Sequence, residues 1–247
     1  MLDLLVKNGL TYVDGVFKKC DVGVKDGKIA CVAECGILGE AKRVIEAEGK
    51  YVIPGGIDTH VHIRSPGHDD REDFYTGTMS AAQGGCTTIL EHPISTPPQY
   101  NKEILDNRKN IARDKCVVDY AFYGAAGGEF PEEITEIAKE GIVAYKSFLH
   151  QAPEGREKEF VGLTMANDAE ILVGMREIAK TGLMMASHAE NNDLITYNIA
   201  KMRAEGHTKP LDHCKSRPPI TEYSTVAKLI MFAKETGCTL ELAHMST

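Results

Sequence analysis

Apolar positions between residues 2 and 50 come in short, half-alternating runs, "LLVKNGLTYV" and "VFKKCDVGVKDGKIACVAE", broken at Asn8-Gly9, Asp14-Gly15 and Asp26-Gly27. A period of two marks strands with one covered face, and Asn-Gly or Asp-Gly between such runs marks a hairpin turn. The spacing predicts a small antiparallel β unit. From Tyr51 the texture changes. Apolar, β-rich runs over 51–63, 86–93, 117–126, 142–149, 183–190 and 239–246 alternate with helical patterns near 71–83, 101–114, 131–140, 168–181, 192–205 and 221–236. Several helical stretches open on acidic residues, and several close on a glycine (Gly84, Gly141, Gly182, Gly206, Gly237), as helix ends do.

Strand–helix alternation implies parallel strands covered by helices. Six such units fill residues 51–247, at roughly 30 residues each, the repeat of a (β/α)8 barrel. A barrel needs eight, whereas a doubly wound sheet can stop at six. The count leaves both open.

Polar residues inside the apolar runs add chemistry. His60 and His62 stand near the C-terminal end of the first run, Lys146 lies in the fourth, His188 ends the fifth and His244 ends the sixth. Residues i and i+2 of a strand share a face, about 6.5 Å apart along it, so His60 and His62 can converge on one ion. In a barrel the C-terminal strand ends form one rim, where active sites are built. Ionisable groups buried there are costly without partners, and a metal is such a partner. Burial would also lower the pKa of Lys146, letting a neutral amine add CO2 and become a carbamate. That anion could bridge two metals about 3.5–4 Å apart. The other reading of Lys146 is a lysine that snorkels to the rim. His92, His150, His207 and His213 read as hydrogen-bonded core or loop residues.

Composition narrows the class. The 247 residues carry a net charge of −8, with 43% hydrophobic and 26% charged positions. That is an ordinary soluble, globular balance, and it argues against a nucleic-acid or anionic-membrane partner. No basic stretch leads into an apolar one at the N-terminus, and no apolar run nears the roughly 18 residues of a membrane span. Seven scattered cysteines suit free thiols in a reducing compartment, so a cytoplasmic location is expected. Cys31 and Cys35 lack the second Cys/His pair that a zinc site would need.

Taken in order, "PGGIDTHVHIRSPG", the lysine of "GIVAYKSFLH", "SHAEN" and "ELAHMST" resemble the cyclic amidohydrolases: dihydroorotases, allantoinases and hydantoinases. The resemblance runs along nearly the whole chain. It implies an α/β fold, a (β/α)8 TIM-type barrel of which residues 51–247 supply about six βα units, with residues 1–50 as an incomplete β-sandwich portion. It also implies two divalent metal ions, zinc being the best suited. His60 and His62 would bind one, His188 and His244 the other, and Lys146, carboxylated by CO2, would bridge them. A bridging hydroxide would attack the amide carbonyl of a small cyclic substrate.

A general-base Asp belongs to a later barrel strand, expected beyond Thr247, and the returning strands of the sandwich are expected there too. The resemblance therefore implies an N-terminal portion of a longer, homo-oligomeric enzyme. Asp58 is expected to support the metal ligands. Arg64 matches the dihydroorotase position whose guanidinium pairs with a substrate carboxylate. Against that, Ile94 in "EHPIS" replaces the dihydroorotase asparagine, and Gln151 stands where hydantoinases carry a tyrosine. "YKSFL" and "SHAEN" lean toward allantoinase. Allantoinase- or hydantoinase-like hydrolysis is the expectation, with dihydroorotase as an alternative. A catalytically inactive fragment or non-catalytic partner subunit is the alternative from another class.

Overall fold

A computed structural model describes all 247 residues. It divides into two compact units, Met1–Gly56 and Ile57–Thr247. No helix is long and apolar enough to cross a membrane, and all seven cysteines are free thiols.

The first unit is one five-stranded sheet of β1 (Leu2–Val13), β2 (Val16–Lys25), β3 (Lys28–Ala33), β4 (Ala41–Glu46) and β5 (Tyr51–Val52). Two of the three expected turns form. Asp14 and Gly15 (φ 51° and 82°) join β1 to β2, and Asp26 and Gly27 (φ 51° and 74°) join β2 to β3, each with the two positive φ angles of a tight hairpin.

Asn8-Gly9 is instead an irregularity within a continuous β1, where the register against β2 shifts. Asn8 takes φ 62° there. Its N–H donates to Asp21 Oδ1 at 2.8 Å, and its side-chain amide reaches both Glu46 oxygens at 3.0 and 3.1 Å. These distant partners hold the extra residue as a bulge, and no turn is made. A side chain at Gly9 would collide with Val52 Cγ2. The sheet is also not purely antiparallel. Residues 34–40 carry the chain from β3 to the far side of β1, so β4 and β5 pair with β1 in parallel.

The second unit runs β6 (Gly56–Val61), α1 (Phe74–Gln83), β7 (Cys86–Glu91), α2 (Lys102–Arg113), β8 (Asp119–Ala125), α3 (Pro131–Ala138), β9 (Ala144–Phe148), α4 (Asp168–Thr181), β10 (Met184–His188), α5 (Asn192–Ala204), α6 (Pro210–Lys215), α7 (Ile220–Thr236) and β11 (Thr239–Leu242). The expected single strand over 51–63 is thus split between β5 and β6, at Pro54, which has no N–H to give to a ladder.

Strand order is β6-β7-β8-β9-β10-β11, with no reversal. A doubly wound sheet reverses order at a switch point. A monotonic order of right-handed crossovers keeps every helix on one side, which is the barrel solution. Curvature follows. Laid flat, six strands would hold their outer members about 24 Å apart. His60, on β6, and His244, just past β11, have ring centroids only 5.3 Å apart.

Alternation along the strands separates two cores. Phe122, Tyr145 and Met185 face the helices and pack with Phe74, Leu105, Ile134, Ile137 and Leu229. Their neighbours Tyr123, Ala144 and Ala186 form a second cluster, and Lys146 shares the parity of Ala144 along β9.

One buried polar network ties the rim to the helices. Arg108 on α2 is fully buried, at the position of the Leu105–Ala112 stripe where an apolar residue would be usual. All five of its N–H groups are used: two to Glu91 (2.6 and 2.9 Å), and one each to Gln99 Oε1 (2.7 Å), Ile63 O (2.7 Å) and Ser65 O (3.0 Å). It thereby clamps the segment that follows β6 to the end of β7. Burial pushes the Glu91 carboxyl up to about 7 even against the pull of Arg108. Arg108→Leu would leave that carboxyl buried without its cation, and is expected to cost about 3–5 kcal/mol of folding stability. Urea unfolding checks this; a loss under about 1 kcal/mol would refute the clamp.

Candidate metal centre

His60 lies in the last turn of the pleat of β6 and His62 one residue past its end, two apart and on one face. Their Nε2 atoms stand 3.2 Å apart. His188 closes β10 and His244 follows β11, and His188 Nδ1 stands 3.2 Å from His244 Nε2. His244 takes φ 40°, a left-handed backbone uncommon for a residue with a side chain and often found at functional sites. Two nitrogens bound to one tetrahedral zinc are separated by about 3.3 Å, given Zn–N bonds near 2.0–2.1 Å. Both pairs match that spacing. The pairs adjoin through the His60–His244 ring contact at 5.3 Å.

Lys146 stands on β9, between the strands that carry the two pairs. It is fully buried, and its Nζ has no hydrogen-bond partner. Its Nζ lies over the Phe148 ring, 5.2 Å from the centroid. Burial pushes the amine down to about 8, opposed only by the negative charge of Glu241. The imidazoles shift in the same direction. Burial, then the positive neighbours, lowers His60 to about 4 and His62 to about 3, and His244 is lowered too. At neutral pH these rings are uncharged and keep a lone pair for a cation.

Other residues join the centre that the sequence reading left as structural. His92 follows β7 directly and is fully buried. It stacks on His60 at 3.9 Å and on Tyr123 at 3.9 Å. One ring nitrogen from each of His60, His62 and His92 lies within 4.8 Å of the others, and a ring nitrogen each of His150 and His188 and a carboxylate oxygen of Glu190 form a second group within the same distance. Glu190 Oε2 accepts from His188 Nε2 at 2.7 Å. That bond holds the proton on Nε2 and turns a bare Nδ1 toward His244, the usual way a carboxylate orients a ligating histidine. The signal for His92 was present in "CTTILEHP", where the residue sits at a strand end like the others. Asp58 accepts the backbone N–H of His60 at 3.1 Å. His207 and His213 stand elsewhere, lining a cleft of ≈ 760 Å³ between the 150–154 loop, α5 and α6.

Arg64 is engaged. Its Nη1 donates to Glu159 Oε2 at 2.8 Å, and Glu159 also holds Arg156 (2.6 Å) and His68 (3.2 Å). The Arg156 hydrogen bond, chief among these contacts, holds the Glu159 carboxyl down at about 2.

Neutral imidazoles at tetrahedral spacing, an unpaired buried amine and the orphaned Nδ1 of His62 fit a divalent cation of the zinc type. Residues 51–246 match the model of the amidohydrolase family. The chain belongs to that family. As an amidohydrolase it is 37% identical to an allantoinase of Bacillus licheniformis over 99% of its own length and 54% of that relative. It is also 37% identical to an allantoinase of Desulfitobacterium hafniense, over 99% and 53%. Among solved structures, the L-hydantoinase (dihydropyrimidinase) from Arthrobacter aurescens aligns with a TM-score of 0.91 at 32% identity, covering all of this chain and 53% of that one. The chain spans about half the length of the curated relatives it matches.

An ammonium buried without a partner costs stability. In metal-free, CO2-depleted buffer, Lys146→Met is expected to stabilise the fold by about 3 kcal/mol at pH 7, the worth of a drop from 10.5 to about 8. The folded value lies below the unfolded one, so the penalty is complete below pH 8 and disappears as pH approaches 10.5. Urea unfolding across that window should show the two proteins converging. Equal stability at pH 7 would contradict an unpartnered amine.

Proposed function

We propose that the protein is a metal-dependent hydrolase that opens the C–N bond of a cyclic amide or ureide, of the allantoinase or hydantoinase type. One observation carries the reading: two histidine pairs, each at zinc-ligand spacing, meet at the strand ends beside a buried lysine with no partner. His60 and His62 would hold one cation, His188 and His244 the second, with Lys146 between them. When bound, the cations supply Lewis-acid polarisation of the amide carbonyl and activate water.

The chain's own residues prepare that chemistry. Burial keeps His60 and His62 deprotonated, so no proton has to be displaced before they ligate. Burial also moves Lys146 toward its neutral form. The Nζ lone pair can then attack the carbon of CO2; loss of one N–H proton gives a carbamate, an anion with two oxygen donors. Glu190 fixes the tautomer of His188, and Asp58 fixes the backbone at His60. Phe148 stacks beside His188 and Tyr123 beside His92, forming an apolar wall that limits water.

The allantoinase and hydantoinase relatives support a ureide ring as substrate. The dihydroorotase alternative rests on Arg64, whose guanidinium is already held by Glu159 at 2.8 Å, so a substrate carboxylate would have to displace an internal ion pair. A non-catalytic role leaves the buried lysine unexplained, since unpaired buried charge lowers stability and persists where function needs it.

Metal analysis of the full-length protein, with assays on allantoin, hydantoin and dihydroorotate, tests the proposal. The expected result is close to two cations per chain and ring opening of allantoin or hydantoin. A metal-loaded protein that opens none of the three would sink this substrate class. His60→Ala and His188→Ala are each expected to lose one cation and more than about 100-fold in turnover. Unchanged metal content in both variants would overturn the ligand assignment.

A further inference from the structure

One short segment backs both histidines of the second pair. Residues 217–222 lead from α6 into the first turn of α7, and Pro218 and Pro219 restrict the backbone there. Thr221, which is buried, closes on the Pro218 carbonyl with both its N–H and its hydroxyl, each at 2.8 Å. Further along α7, Val226 and Leu229 anchor the helix in the outer core. Arg217 reaches the His188 side. Its Nε lies 3.5 Å from Glu190 Oε1, and the other oxygen of that carboxylate accepts from His188 Nε2 at 2.7 Å. Arg217 Nη1 stands 3.1 Å from Ser216 Oγ and 3.2 Å from His213 Nδ1, so the guanidinium is tied to the end of α6 as well. Asn191, next to Glu190, donates its backbone N–H to Thr221 O at 2.7 Å. Glu222 reaches the His244 side. Both its oxygens accept from the backbone N–H of Ser246 at 3.2 Å, and one accepts from the Thr247 hydroxyl. These bonds hold the turn in which His244 takes its left-handed φ of 40°, a conformation that persists where the surroundings fix it.

We propose that Arg217 and Glu222 are positioning residues for the His188–His244 pair, an inference that rests on the metal reading above. Arg217 holds Glu190 and, through it, the His188 ring. Glu222 holds the backbone that carries His244. The 3.2 Å spacing of His188 Nδ1 and His244 Nε2 is kept from behind by one stiff stretch of chain. Partners that orient a ligating histidine in this way govern metal affinity without touching the metal. The competing role for both residues is local, as end contacts of α6 and α7 that leave the centre unaffected.

The test is Co(II) binding to the full-length protein, followed by visible absorption and by competition with a chromophoric chelator. Arg217→Gln and Glu222→Ala are each made in two backgrounds: His60→Ala, which leaves the His188 side, and His188→Ala, which leaves the His60 side. In the first background each is expected to weaken Co(II) binding by at least about 10-fold and to change the intensity and position of the d–d bands. In the second, affinity and bands are expected to stay at the values of His188→Ala alone. Should a background lose both cations, the two-step titration of the otherwise unaltered protein replaces it: one step weakened supports the assignment, and both weakened alike overturn it. Circular dichroism in chelator checks folding; if one variant misfolds, the other decides, since each acts on a different histidine. Unchanged affinity and bands in the first background, or equal weakening in both, would overturn the assignment and leave the two residues as helix-end contacts. A wild-type protein that binds no Co(II) or Zn(II) would instead remove the metal reading itself, and this inference with it.

Discussion

Closure of the parallel sheet is the constraint on which the centre depends. The strands that supply the two histidine pairs lie at or near opposite ends of a six-strand order, yet the rings of His60 and His244 come within 5.3 Å. Only a sheet curled by consistent twist and one-sided crossovers allows this. Small inward residues, Ala144 and Ala186, let the wall curve tightly around Tyr123, and helices carrying Phe74, Leu105, Ile134 and Leu229 press from outside. Without the curl, the five nitrogens would be isolated polar groups on separate strands, each costing stability and none able to share an ion.

The sequence made the alternation of strand and helix readable because strands buried on both faces are nearly continuous in apolar residues. The four histidines near strand ends and Lys146 within β9 stood out for the same reason, since ionisable residues contrast with such runs. What escaped depends on partners far away in the chain. Asn8-Gly9 reads as a turn until Asp21 and Glu46 are seen to hold it as a bulge. The parallel pairing of β4 with β1 is invisible locally, because nothing in residues 41–46 says which strand they will meet. His92 resembles any core histidine until its ring is found stacked on His60.

Arg108 and Arg64 show how little a residue type says by itself. One occupies a core stripe and spends every N–H on carbonyls and side chains. The other follows β6 and pairs with Glu159, 95 residues away. The first organises the chain after β6, so it acts on the histidines without touching them. The second is held by a residue of the segment between β9 and α4.

The two sides of the centre are not chemically alike. Around His60 and His62 lie the rings of His92 and Tyr123, with Asp58 accepting the His60 backbone N–H and the charges of Lys146 and Arg64 close by. His188 is backed by Glu190, whose carboxyl is raised by burial but held below its ordinary range by the His188 hydrogen bond and the Arg217 charge. A carboxylate behind an imidazole makes it the stronger donor and offsets part of a cation's charge. Lys146, midway on β9, is buried without a hydrogen-bond partner between the strands that carry the two pairs.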